Sequence, residues 1–552
     1  MTGKTGKTGE PRKRPSGRRR RLKVTAALIA ALLTATACST GGSDGGSKDT
    51  GGGSDTAYRP GTLRVLASSE LADTQGVLDE AERKTGVKVR PTWTGTLDAA
   101  ELIASGKADG KYDAVWLSSN DYLRLHPDTA ERLTNETPLM SSPVALGVKA
   151  ATVTRLGWRP DEVTWSQVHQ AVLAGKLTYG MTDPVRSNSG FSALISVASG
   201  LSGAQSALTD ADVRRATPKL KEFFTGQKLT SGSSGWLASA YTRNGSVDAL
   251  VNYESVLLSM NRDSHTGLTV IRPKDGVVTA DYPLTLLTSA SPEARESGQA
   301  LTSYLRGPEA QRALTEETFR RPVVPSVKPA AGLDTEKRRE LPFPGSRSVA
   351  DGLLDSYENQ LRRPSRTVYV LDTSGSMRGD RLSRLKAALA GLTGTDDSAT
   401  GERFRDREEV TLMPFGSSVK RVDTHTVDPR DPAAALNGIR TDAGSLTASG
   451  ETAIYSSLRE AYTHLGTGKA DAFTSIVLMT DGENTTGSGP GDFDAFYAKL
   501  PADQRATPVF PILFGDSDRA ELTHIAELTG GRLFDATRGS LDGAFEEIRG
   551  YQ

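Results

Sequence analysis

Asp372, Ser374 and Ser376 alternate in the stretch Asp372-Thr373-Ser374-Gly375-Ser376-Met377. In an extended turn every second side chain points the same way, so this spacing can aim one carboxylate and two hydroxyls at a single point. Such oxygens suit a hard divalent cation such as Mg²⁺, which takes octahedral oxygen coordination and keeps some of its waters. Taken alone, the triplet reads better as a helix cap or a surface turn.

The elements around it argue for more. Thr367 to Leu371 is a short apolar strand that runs directly into Asp372, and a helix from Asp380 to Leu389 follows. Open α/β sheets bind ligands at the carboxyl ends of their strands. Further on, Gly450-Glu451-Thr452-Ala453 opens another helix, and the strand Ile476 to Thr480 ends in Asp481-Gly482. Together the three segments resemble, residue by residue, the von Willebrand factor type A (VWA) domain with its metal-ion-dependent adhesion site. The resemblance spans residues 365–552 and implies a Rossmann-like doubly wound α/β fold. It also implies that Ser374, Ser376 and Thr452 supply hydroxyl oxygens, while Asp372 and Asp481 supply carboxylates, commonly through water. The implied cofactor is Mg²⁺, or Mn²⁺ or Ca²⁺ in its place. One coordination position stays free for an acidic side chain of an extracytoplasmic protein partner. The competing reading keeps the five residues only as strand-end caps and hydrogen-bond partners.

Residues 59–330 also alternate strands and helices, which argues for βαβ units and a largely parallel sheet. Leu63 to Ala67 reads as a strand, Asp73 to Lys84 as a helix closed by Gly86, and Asp113 to Leu117 as another strand. Leu66-Ala67-Ser68-Ser69, Trp93-Thr94-Gly95-Thr96, Thr182-Asp183-Pro184 with Ser187-Asn188-Ser189-Gly190, and Val251-Asn252-Tyr253-Glu254 resemble an extracellular solute-binding protein. That family implies two α/β lobes around a cleft that closes by hinge motion. Ser68, Ser69, Thr96, Ser187, Ser189 and Tyr253 are the candidate ligand-binding residues, the first five near helix starts that favour anions or polar oxygens. Each serine is also an ordinary cap or turn former, and the cleft is either a site for a small polar or anionic solute or a retained scaffold. Residues 331–364 are polar, with prolines at intervals, and read as the connector between the two domains.

The N-terminus reads as an address. Residues 1–37 hold ten Lys/Arg and one acid, and the basic run ending at Lys23 precedes the apolar stretch Val24 to Ala37. That is a signal-peptide pattern, too short for a comfortable membrane span. It ends in Ala35-Thr36-Ala37-Cys38, which resembles a bacterial lipobox whose cysteine, Cys38, is lipidated; the other reading is an uncleaved anchor. Either places the rest outside the cytoplasm, on the outer face of the cell membrane, by the general or the twin-arginine route. Residues 38–58 are a Gly/Ser-rich flexible tether.

Beyond residue 37 the chain carries 57 basic and 66 acidic residues, which argues against nucleic-acid binding. Cys38 is the one cysteine, so neither an intrachain disulfide nor a multi-cysteine zinc site can form. No Gly-x-Ser-x-Gly occurs between a strand and a helix, as a nucleophile elbow requires, and no His-Glu-x-x-His motif occurs, so no enzyme is expected. The expected function is a surface-anchored lipoprotein that grips a partner through its metal site and carries a solute-binding module. The alternative is the substrate-binding component of an uptake system whose VWA domain docks or regulates.

Overall fold

Gly61–Ser68 is buried almost continuously through its second half, the pattern of a parallel strand covered on both faces. It belongs to a computed structural model that describes residues 61–394, 403–466, 471–537 and 541–552. The signal-peptide stretch, Cys38 and the tether lie outside the described residues. No helix among the described residues is long and apolar enough to cross a membrane.

Gly61–Ser68 pairs in parallel with Val87–Thr94 and Ala114–Trp116, and Pro283–Leu287 and Leu133–Pro138 complete a five-stranded sheet. The intervening helix Gln75–Thr85 ends at Gly86, whose φ of 72° is the left-handed cap that glycine adopts without strain. This is the first lobe. The second is built on Met140–Lys149, Ala249–Tyr253, Tyr179–Thr182 and Gln227–Ser231, in that spatial order. The chain crosses between lobes near Leu139 and again at Asp281–Tyr282. Residues 331–364 fold back onto the same core, where Leu341, Leu353, Leu354 and Tyr357 are buried. Tyr122 Oη donates to Asp351 at 2.8 Å, and the Phe224 and Tyr357 rings meet edge to face at 5.1 Å.

The C-terminal domain is a six-stranded sheet with Ser365–Asp372 between Glu409–Phe415 and Phe473–Thr480, all parallel. Val509–Leu513 and Phe534–Asp535 extend it, and Asp423–Thr426 closes the other edge antiparallel. Side chains alternate between faces, so Val368 and Val370 enter one apolar core while Tyr369 and Leu371 enter the other. Helices Asp380–Gly391, Pro432–Gly444 and Leu541–Arg549 cover one face; Ile454–Leu465, Pro490–Lys499 and Arg519–Thr529 cover the other. The sheet is doubly wound, as the motif arrangement implied.

Buried ions join this domain to the second lobe. Arg405 reaches Asp183 at 3.3 Å and Glu358 at 2.8 Å, and Arg549 and Arg362 both pair with Glu408. All six side chains are at most 4 % exposed. Trp236 of the second lobe packs against the C-terminal domain's core, its ring 6.2 Å from that of Tyr551.

Candidate metal centre

Ser365–Asp372 and Phe473–Thr480 run side by side, with Leu371 opposite Met479, so Asp372 and Asp481 emerge from adjacent strand ends. The chain continues from the first strand to one side of the sheet and returns on the other, so the crevice between them is the topological switch point. Thr480 Oγ1 donates to Asp372 Oδ2 at 2.6 Å, and the Ser374 amide donates to Asp372 Oδ1 at 2.8 Å. Ser374 Oγ lies 2.9 Å from Ser376 Oγ, which donates to Asp481 Oδ1 at 2.8 Å. Asp372, Ser374 and Asp481 are buried, while Ser376 is exposed at the rim.

The loop that carries Thr452 is clamped against this turn. Gly375 N donates to Gly450 O, and Ser449 N donates to Thr373 O, each at 2.8 Å. Gly450 has a φ of 88°, which favours glycine there. The Thr452 amide donates to Thr485 Oγ1 at 2.9 Å, and the side chain is buried. The fold thus draws three segments of the motif, far apart in sequence, to one strand-end crevice.

Burial pushes the Asp372 carboxyl above its usual range, bonds from Thr480 and Ser374 pull it back, and the charge of Asp481 pushes it up again. Three groups here were missed by the motif reading. Thr480 is the buried hydroxyl on Asp372. Arg381 reaches Asp481 Oδ2 at 2.6 Å and Asp516 at 2.6 Å. Lys420 Nζ donates to Thr373 O at 2.7 Å and Thr447 O at 3.0 Å. Only Arg381 left a trace in the sequence, because a cation in the first turn of a helix opposes the helix dipole and needs an anion nearby. The donor set of two carboxylates and three hydroxyls is all hard oxygen and fits a divalent cation of the Mg²⁺ type.

In the two-lobed domain, Ser189 Oγ is the centre of a hydroxyl cluster, 2.9 Å from Thr182 Oγ1, 3.0 Å from Ser187 Oγ and 2.7 Å from Ser234 Oγ. Asn188 Nδ2 donates to Tyr253 Oη at 3.0 Å, and Tyr253 is fully buried. On the opposite lobe, Ser68 Oγ accepts from Ser118 N at 3.1 Å, Ser69 is partly exposed, and Thr96 Oγ1 is buried with no protein partner. Ser187 and Ser189 therefore meet on one lobe, and Ser68, Ser69 and Thr96 sit on the other. Arg186 bridges the lobes to Asp98 at 3.2 Å, and a Cβ at Gly95 would lie 2.4 Å from Arg186 O.

Residues 63–320 match the family model described as bacterial extracellular solute-binding protein, and residues 367–483 match the von Willebrand factor type A domain. Over 130 residues the chain is 32% identical to uncharacterized protein sll0103 of Synechocystis sp., covering 24% of this chain and 28% of that protein's length. Among solved structures, the periplasmic binding protein AfuA from Actinobacillus pleuropneumoniae aligns at 12% identity and a TM-score of 0.45, covering 54% of this chain and 98% of that one. The ferric binding protein from Campylobacter jejuni aligns at 12% identity and a TM-score of 0.42, covering 53% and 98%.

Proposed function

We propose, from a chain that carries an extracellular solute-binding domain followed by a VWA domain, that the protein is a lipid-anchored surface binder gripping a partner through a divalent cation. The supporting observation is the run of oxygens Asp372, Ser374, Ser376 and Asp481 across two adjacent strand ends. Asp372, Ser374, Ser376, Thr452 and Asp481 would hold Mg²⁺, Mn²⁺ or Ca²⁺. When bound, the cation would offer an open coordination position to a carboxylate of the partner.

The chain's own residues set the terms of that contact. Asp372 supplies charge from below, where burial keeps water from screening it. Ser376 sits at the exposed rim, where a partner can approach. Arg381 holds Asp481 through Oδ2 and draws charge from it, while Oδ1 meets Ser376, and Asp516 gives that guanidinium a second anion. Cys38 would carry the lipid and residues 38–58 the reach from the membrane, with two or more acyl chains for firm anchoring.

The test is capture from an envelope extract with the full chain, wild type and Asp372→Ala, each in Mg²⁺ and in EDTA. A partner retained only by wild type in Mg²⁺ is the expected result; equal capture in all four arms sinks the reading. A second reading, a solute-capturing component of an uptake system, is favoured by the hydroxyl cluster around Ser189 on one lobe and the unpartnered, buried Thr96 hydroxyl on the other. Its test is a thermal-shift screen of small polar and anionic solutes, with Ser189→Ala expected to remove any stabilisation found.

A further inference from the structure

Gln227–Ser231 is the outermost strand of the second lobe's sheet, paired on one side with Tyr179–Thr182 and on the other with no strand among the described residues. Lys228, Leu229 and Thr230, three residues in a row, line one groove of about 980 Å³. The pairing with Tyr179–Thr182 slips by one residue at Lys228, and the groove borders the outer side of the strand there. Gln227 O accepts from Arg363 Nη1 at 3.4 Å, so among the described residues the stretch left without a strand partner on that side is residues 228–230.

One wall is the helix Ser234–Asn244, which presents Trp236, Ala240 and Arg243 at helical spacing, the Arg243 guanidinium stacked 4.1 Å above the Trp236 ring. The other wall belongs to the VWA domain, where Phe473, Thr474, Phe510 and Tyr551 contribute. The volume is at the upper end of ordinary ligand sites, and the walls are aromatic in the way that such sites are. Four cations, Lys228, Arg243, Arg363 and Arg505, face it against two acids, Asp503 and Glu527. Burial and then the charge of Arg363 hold the Lys228 ammonium below its usual range, and Asp471 offsets part of this. Thr474 Oγ1 is buried there with no protein partner.

An open strand edge is a template for another strand. Strand addition gains affinity from main-chain hydrogen bonds and specificity from alternate side chains. We propose that this groove binds an extended acidic peptide segment of a partner protein, added as a strand along the outer edge at residues 228–230. Its carboxylates meet Lys228 and Arg505, and its apolar side chains pack on Trp236 and Phe473. This site is separate from the metal centre and requires both domains, because neither wall is complete without the other.

The test uses the full chain and a fluorescein-labelled peptide of about eight alternating Glu and Val residues, long enough to span roughly 26 Å when extended. Anisotropy should rise to saturation with this peptide and not with its Lys–Val counterpart. Lys228→Glu and Arg505→Glu, both at exposed side chains, should each weaken binding at least tenfold with unchanged melting temperature. Of two peptides N-methylated on alternate sets of amides, one should bind and the other should fail, since only one set faces the strand. Absence of binding, equal binding of the acidic and basic peptides, or indifference to both charge reversals overturns the site. Binding of both methylated peptides overturns strand addition.

Discussion

At the scale of single residues, Arg381 would decide how available the proposed metal site is. Its guanidinium already pairs with Asp481, so a cation entering the crevice would compete with it for that carboxylate. Arg381→Ala removes the competitor and also a repelling charge. Exposed and half-exposed ion pairs contribute little, so the expected gain is about two- to fivefold tighter Mg²⁺ binding by calorimetric titration. Unchanged or weaker binding would mean that Arg381 shapes the site rather than competes for it. The triplet Asp372, Ser374 and Ser376 was readable because its chemistry sits in consecutive alternating positions. Thr480 was not read as part of the site, because a threonine at a strand end looks the same whether or not a buried carboxylate lies beside it.

At the scale of elements, the tight spots are where helices abut strand ends. Gly190 lies in the first turn of Asn188–Ser202, and a Cβ there would stand 2.4 Å from Thr182 O and 2.9 Å from Pro184 N. In an open helix, Gly→Ala stabilises by up to about 1 kcal/mol. Here the neighbours are backbone and cannot swing away, so overpacking reverses the sign. Gly190→Ala should cost about 1–3 kcal/mol, read as a lowered urea midpoint, and should push Ser189 off Thr182. Elements with strong local signals were legible: the helix closed at Gly86 and the apolar strand before Asp372 both lie where pattern placed them. The strand is longer than its apolar run, Ser365–Asp372 against Thr367–Leu371, because backbone pairing with both neighbours continues past the last apolar side chain.

At the scale of the molecule, the two domains are held by buried charge. Arg405→Ala would leave Asp183 and Glu358 buried without their cation, at a cost of about 3–5 kcal/mol. Scanning calorimetry should then show two separated transitions where the wild type shows one; a single transition at an unchanged temperature would deny the interface that role. Acid should act on the same cluster. Burial alone would raise the Glu408 carboxyl, but Arg549, Arg362 and Arg405 hold it down from the ordinary 4.5 to about 2. The native state therefore binds fewer protons than the unfolded chain between those values. The stability Glu408 contributes is complete above about pH 4.5 and disappears as pH falls toward 2. Glu358 opposes this trend, since burial raises its carboxyl and favours the protonated native form. Glu408→Gln should lower the melting temperature at pH 7 and flatten its fall between pH 4.5 and 2.

The sequence by itself determined the order of two α/β domains and the residue types of the proposed metal site, because strand ends, helix starts and alternating hydroxyls are local patterns. Tertiary structure alone decided which charges meet. Arg381 and Asp481 are 100 residues apart, and Arg405 and Asp183 are 222 apart. No periodicity links such pairs; they become partners only when sheets close and lobes pack. The groove beside Gln227–Ser231 is of the same kind, since an edge is free or covered according to what folds against it.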